Sequence, residues 1–166
     1  MRIKAYVDTN IYVYAIIHHP AYGDPCSMIL RDIGRGAYEA YGSTLVALEL
    51  LGSLSKISPR IARRAVEDYL SLGITLLNVD EEVIRLASIV NEVVNIRYDS
   101  IHASLVLLNG VPVVITNDLS DWRKVSRNLS KILARMEEEG YVTTVKELRV
   151  VSPKEYRVWR ENNVAN

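Results

Sequence analysis

AYVDTNIYVYAI, residues 5–16, opens as a strand and closes as a helix, with three polar residues, Asp8, Thr9 and Asn10, between them. The apolar run from Ile3 to Val7 reads as a buried strand. Asn10 to Ile17 reads as a helix that His18-His19-Pro20 breaks. A turn accounts for the polarity of the junction. A metal site accounts for it as well, provided that other carboxylates converge on the same point.

Outward from this unit the alternation continues. A second helix is predicted from about Pro25 to Arg35, and a strand over Tyr38–Tyr41 that ends at Gly42-Ser43. Ser43 or Thr44 caps an apolar helix through Leu54. Ser58-Pro59 starts another, with Pro in the first turn, and Gly73 stops it after Leu72. ITLLNV (74–79) is a strand, and Asp80 with Glu81 and Glu82 opens an acidic first turn. Asp99 opens a helix through Leu108 that Asn109-Gly110 ends. VPVVIT (111–116) is a further buried strand, Val125–Glu139 a helix with a polar face, and LRVVSPKEY (148–156) a last short strand. Strands alternating with helices imply an α/β fold, a three-layer α/β/α sandwich on a mainly parallel central sheet. We expect one domain over residues 1–160, with no internal repeat and no linker, and a flexible tail at 161–166.

Composition agrees with a globular protein: 166 residues, 49% hydrophobic and 24% charged, enough to bury a core in one domain. Basic and acidic side chains number 20 each, so any nucleic-acid surface must be local. The single cysteine, Cys26, offers neither an intrachain disulfide nor a zinc cluster. No secretory signal core and no membrane-length apolar run is visible, and a cytoplasmic location is the expectation.

Four acids fall in informative places. Asp8 follows the first strand and Asp118 follows VVIT, at the sheet edge where open parallel sheets bind ligands; each acid alone could equally be a cap. Glu49 is the only charged residue between Ala40 and Ser55, set in STLVALELLGSL (43–54). A carboxylate on so apolar a helix costs several kcal/mol, roughly, unless something pairs with it; a neighbouring arginine or the domain rim would serve. Asp99, at the head of DSIHASLVLL, suits an N-cap and can also face a cleft. His102, one turn on, reads as a packed or hydrogen-bonded residue and is left outside the site. ITNDLSDW (115–122) adds Thr116, Asn117, Asp118 and Asp121. Carboxylates, Asn and Thr without a Cys or His array describe a hard-oxygen site for Mg²⁺ or Mn²⁺, a device used to hydrolyse phosphodiesters.

At these residues the chain resembles the PIN-domain ribonucleases, of the kind found as the toxin in VapBC-type toxin–antitoxin pairs. The matching pieces are YVDTNIYVYAI, STLVALELL, DSIHASLVLLNGVPVVITNDLSDW and LRVVSPKEY, in the family's order and over most of the chain. The resemblance implies that Asp8, Glu49, Asp99 and Asp118 are the catalytic acids. It also implies that Asp8, Asp99, Asp118 and Asp121 hold the metal, and that Glu49 orients a water beside it. Thr9 and Asn10 match the small polar pair after the first acid, Asn10 supporting an acid, and Thr116 would steady the loop. Trp122 stands where the family commonly has Phe. A departure lies at Arg123–Glu147, an added helical insertion with Arg123, Lys124, Arg127, Lys131 and Arg135, either a solvated helix or an RNA-gripping or partner-binding one. Arg123, Lys124 and Arg127 are the candidate RNA contacts.

The resemblance further implies an RNA substrate, a small antitoxin partner and a homodimer. Other classes stay open at this point: an RNA-processing nuclease outside any toxin–antitoxin pair, an aspartyl-phosphate phosphatase-like or receiver-like enzyme, and a non-catalytic RNA-binding module. The phosphatase pattern wants an acid two residues after Asp8, where this chain has Asn10. The receiver pattern wants a Lys at a late strand end, where VVITND has none. A non-catalytic module would have lost acids, and none is lost.

Overall fold

The computed structural model describes residues 2–164. Five strands, β1 (Lys4–Val7), β2 (Glu39–Ser43), β3 (Thr75–Leu77), β4 (Val113–Ile115) and β5 (Arg149–Val151), form one sheet in the order β3-β2-β1-β4-β5. All four pairings are parallel, with Ala5 beside both Ala40 and Val113. Helices α1 (Thr9–Ile16) and α2 (Gly23–Gly34) join β1 to β2, and α3 (Thr44–Ser55) and α4 (Pro59–Leu70) join β2 to β3. Helices α5 (Glu81–Val94) and α6 (Asp99–Leu108) lead to β4, α7 (Leu119–Arg127) and α8 (Leu129–Glu138) to β5, and α9 (Tyr156–Asn163) follows.

From β1 the chain moves outward to β2 and β3, then returns past β1 to β4 and β5. Right-handed crossovers therefore put α1–α4 on one face and α5–α8 on the other, and α1 packs on α3, α5 on α8 and α6 on α7. The three-layer α/β/α sandwich is as expected. The direction reverses between β1 and β4, and at such a switch point the loops leave the carboxyl ends in opposite directions and open a crevice. Asp8 is the first residue past β1 and Asp118 lies three past β4.

Local chemistry sets the helix starts. Ser43 Oγ accepts from Val46 N–H, Ser58 caps α4 with Pro59 in its first turn, and Asp80 accepts from Val83 N–H. The helix expected over Val125–Glu139 is two helices. Asn128 sits between them at φ −105°, ψ 14°, and its side-chain amide donates to Lys124 O at 2.8 Å; that local bond competes with helix continuation. Helix α8 is not simply solvated, since Leu129, Ile132 and Met136 are buried and the helix packs on α5. Of the tail expected at 161–166, Glu161–Asn163 belong to α9 and Val164 is buried, while 165 and 166 lie outside the described residues. Buried Tyr156 and Trp159 dock that helix beside α2.

Candidate active site

Asp8 is 5% exposed and closes β1 by donating its N–H to Ile115 O at 3.0 Å. Its extended backbone makes it the N-cap of α1, with Oδ1 accepting from Thr9 N–H at 2.8 Å. Oδ2 accepts three donors: Thr116 Oγ1 at 2.7 Å, Asn10 Nδ2 at 3.2 Å and the Trp122 indole N–H at 3.2 Å. So many donors hold the carboxylate in one orientation. Asn10 also ties the two strand ends together, its Oδ1 accepting from Asn117 N–H at 2.8 Å. Thr116 Oγ1 in turn accepts from Asp118 N–H at 3.0 Å. Asn10 and Thr116 are also bonded to each other, Asn10 Nδ2 donating to Thr116 Oγ1 at 3.1 Å.

Thr9 does something else: its hydroxyl donates to Glu49 Oε2. Glu49, on α3, is 34% exposed at its side chain, and its second partner is no arginine but His102 Nε2, at 3.1 and 3.2 Å from the two carboxylate oxygens. Burial alone would raise the Glu49 carboxyl; the His102 hydrogen bond and charge, with the Thr9 hydroxyl, outweigh it and leave the group below its ordinary value. His102 belongs beside the site rather than outside it. Its cue was available in the sequence, since both Glu49 and His102 sit on otherwise apolar helices and each needs a polar partner; that they would meet was not.

Asp99, Asp118 and Asp121 form a second group, with one oxygen from each within 4.8 Å of the others; Asp8, Glu49 and His102 meet the same limit. Asp99 is not the cap of α6, because Tyr98 holds the N-cap position and makes no side-chain cap bond. Its carboxyl is free to face the acids. Burial first, then the charge of Asp8, push it up to about 7, with Asp118 and Asp121 adding and His102 opposing. Thr116 joins the two groups, its hydroxyl donating to Asp8 Oδ2 and accepting from Asp118 N–H, so the acids on either side of it form an acidic cup. Asp121 lies lower, chiefly because Lys124 Nζ stands 2.8 Å from it.

The donor set fits a hard dication. Every group offered by Asp8, Asp99, Asp118 and Asp121 is a carboxylate oxygen, and beyond its burial Asp99 feels the negative charge of Asp8 and Asp118. Of the expected RNA contacts, Lys124 is paired with Asp121, whereas Arg123 and Arg127 are exposed, with the field of Arg123 reaching Glu155. Arg135 is paired with Glu138, Glu139 and Glu92, so the basic side of this segment is interrupted. Cys26 is buried in α2 and burial pushes its thiol up to about 12, which removes it as a nucleophile.

Comparison with known proteins agrees with this geometry. The family model described as PIN domain matches residues 5–128. The crystal structure of VapBC2 from Rickettsia felis bound to a DNA fragment from their promoter is similar with a TM-score of 0.62 at 16% identity, over 90% of this chain and 98% of that one. DNA-bound VapBC from Salmonella typhimurium is similar with a TM-score of 0.59 at 16% identity, over 91% and 98%. At that identity the likeness is one of fold. No curated protein matches the sequence.

Proposed function

This chain belongs to the PIN domain family, and on that premise we propose that it is a divalent-metal-dependent endoribonuclease, a VapC-type toxin neutralised by a small antitoxin. The observation that carries the proposal is the pair of neighbouring acid groups at the carboxyl ends of the strands, Asp8 with Glu49 and Asp99 with Asp118 and Asp121, joined through Thr116. Asp8, Asp99, Asp118 and Asp121 would hold Mg²⁺ or Mn²⁺. When bound, such an ion supplies Lewis-acid stabilisation of a phosphodiester and a water acidic enough to attack it near neutral pH. The chain's own part is positioning. Thr116, Asn10 and Trp122 aim Asp8, and Thr9 with His102 keeps Glu49 ionised and able to accept a hydrogen bond from an attacking water. No covalent enzyme intermediate is required.

The toxin assignment draws support from the fold shared with the two VapBC structures. Exposed Leu48, Leu51, Ile57 and Ile61 along α3, α4 and their turn supply the kind of apolar surface that a protein partner covers, an antitoxin or a second copy in a homodimer. Among the described residues no helix is long and apolar enough to cross a membrane, which agrees with a cytoplasmic role. The reading takes 1–160 as one PIN-like domain, with 123–147 as an elaboration beside the site that carries the candidate RNA contacts Arg123 and Arg127.

The test is cleavage of RNA with Mg²⁺ or Mn²⁺ by the wild type, Asp8→Asn and Asp118→Asn, with EDTA as control. We expect loss of activity in both variants and in EDTA. Equal cleavage by all three proteins would end the proposal. Growth arrest on induction, relieved by a neighbouring small gene, separates a toxin from a processing nuclease.

A further inference from the structure

His102 lies on α6 among Ala103, Leu105, Val106 and Leu107, all fully buried, and is itself 1% exposed. An imidazole in such a setting must have both nitrogens satisfied. Nε2 faces the two oxygens of Glu49 at 3.1 and 3.2 Å, and Nδ1 stands 2.7 Å from the Tyr6 hydroxyl. Tyr6, fully buried on β1, is in turn 2.7 Å from Ser43 Oγ, which accepts from Val46 N–H at 3.2 Å. Ser43 is clamped by Tyr69, whose hydroxyl accepts from Ser43 N–H at 2.8 Å and donates to Ser43 O at 3.0 Å.

A carboxylate only accepts, so Nε2 carries a proton. The hydroxyls of Tyr6 and Ser43 can each donate or accept, so Nδ1 has its partner whichever way their hydrogens turn. One unbroken series of hydrogen bonds runs from the first turn of α3, through β2, β1 and α6, and returns to α3 at Glu49. Each member is held by the one before it.

We propose that His102 is a positioning residue for Glu49, held by Tyr6 and Ser43 so that the carboxylate stays aimed into the acidic cup. A glutamate on a helix has three rotatable torsions, and only Thr9 and His102 hydrogen-bond its carboxylate among the described residues. Thr9 grips a single oxygen, while His102 spans both and so sets the plane of the carboxylate. Among the described residues the His102 side chain hydrogen-bonds Glu49 and Tyr6 and none of Asp99, Asp118 and Asp121, and it is closed to solvent, so Glu49 is the acid of the site that it holds in place. The inference rests on the nuclease reading above for its consequence, but not for its geometry.

The test uses the full chain and compares His102→Leu, His102→Gln and Tyr6→Phe. For His102→Leu, kcat on RNA should fall about 10- to 100-fold, the range seen when a supporting hydrogen-bond partner is removed, with KM and Mn²⁺ affinity changed by no more than about two-fold. His102→Gln, which can still donate to Glu49, should recover most of the loss. Tyr6→Phe, which frees Nδ1 without touching Glu49, should fall between them. In a Glu49→Gln background His102→Leu should add nothing. Wild-type kcat in folded His102→Leu, additive losses with Glu49→Gln, or a tenfold weaker Mn²⁺ affinity would each overturn the role. Independent of activity, ¹⁵N NMR of His102 should show Nε2 protonated, and a bare Nε2 would overturn the contact itself. Should wild-type protein cleave no RNA, the nuclease reading falls while the NMR measurement still decides the contact. If His102→Leu does not fold, Tyr6→Phe and the NMR measurement carry the test.

Discussion

Asp99 is the residue whose chemistry depends most on its neighbours. Its carboxyl rises from 3.8 to about 7 through burial and the charge of Asp8, so the folded protein keeps a proton there that the unfolded chain has given up. The sign follows. With a folded value above the unfolded one, the proton-linked stabilisation is present at low pH and is lost as pH climbs from about 4 to about 7. His102 is raised too, against its burial and through Glu49 and Asp8, and pushes in the same direction near neutrality. Metal-free protein should therefore melt at lower temperature at pH 7.5 than at pH 5.5, and Asp99→Asn should flatten that trend in thermal scans at constant ionic strength. Metal must displace the same proton, so Mn²⁺ affinity should fall about tenfold for each pH unit below 7. A melting temperature that climbs over this interval in the metal-free wild type would contradict the assignment.

At the scale of elements, α9, which reaches three residues into the stretch expected as a tail, is tied to the body through α2. Asp32 on α2 is 3% exposed and faces Arg160 Nε at 2.7 Å and the Tyr156 hydroxyl at 2.9 Å, both from α9. The Arg160 N–H is not aimed along that line, so charge rather than an aligned hydrogen bond holds the pair. Removing the arginine leaves a buried carboxylate with one hydroxyl partner. Arg160→Ala should cost about 3 kcal/mol in chemical denaturation, and Asp32→Asn in the same background should restore part of it. Both effects would be absent if α9 were only loosely attached. The sequence hid this contact because Asp32 and Arg160 are 128 positions apart and each stands in an ordinary polar pattern. The break at Asn128 was hidden for a different reason. Apolar spacing continues across it, while at the end of α7 both the backbone N–H and the side-chain amide of Asn128 turn onto Lys124 O.

For the whole molecule, the sheet order is what makes a candidate metal site from dispersed acids. Asp8, Glu49, Asp99 and Asp118 come from four separate crossovers, and the reversal between β1 and β4 gathers them at one edge. A dication bound there links those crossovers and should stabilise the fold by mass action. Mn²⁺ at 100 times its dissociation constant contributes about 2.7 kcal/mol, equivalent to roughly 5–10 °C in a domain of this size. The wild type should show that rise in Tm on adding Mn²⁺, and Asp118→Asn should show little of it. An equal rise in both would place the metal elsewhere.

The alternation of strand and helix, the capping by Ser43, Ser58 and Asp80, and the positions of the acids at strand and helix ends were determined by the sequence itself. These features depend on periodicity and on chemistry within a few residues, which one stretch of chain contains in full. Only the tertiary structure decided that Asp99 leaves its helix uncapped to join other carboxylates, that Trp122 donates to Asp8, and that Glu49 takes a histidine as its partner. Those outcomes depend on which groups are brought within about 3 Å across the sheet, and the order of the strands sets that, not the spacing of residues along the chain.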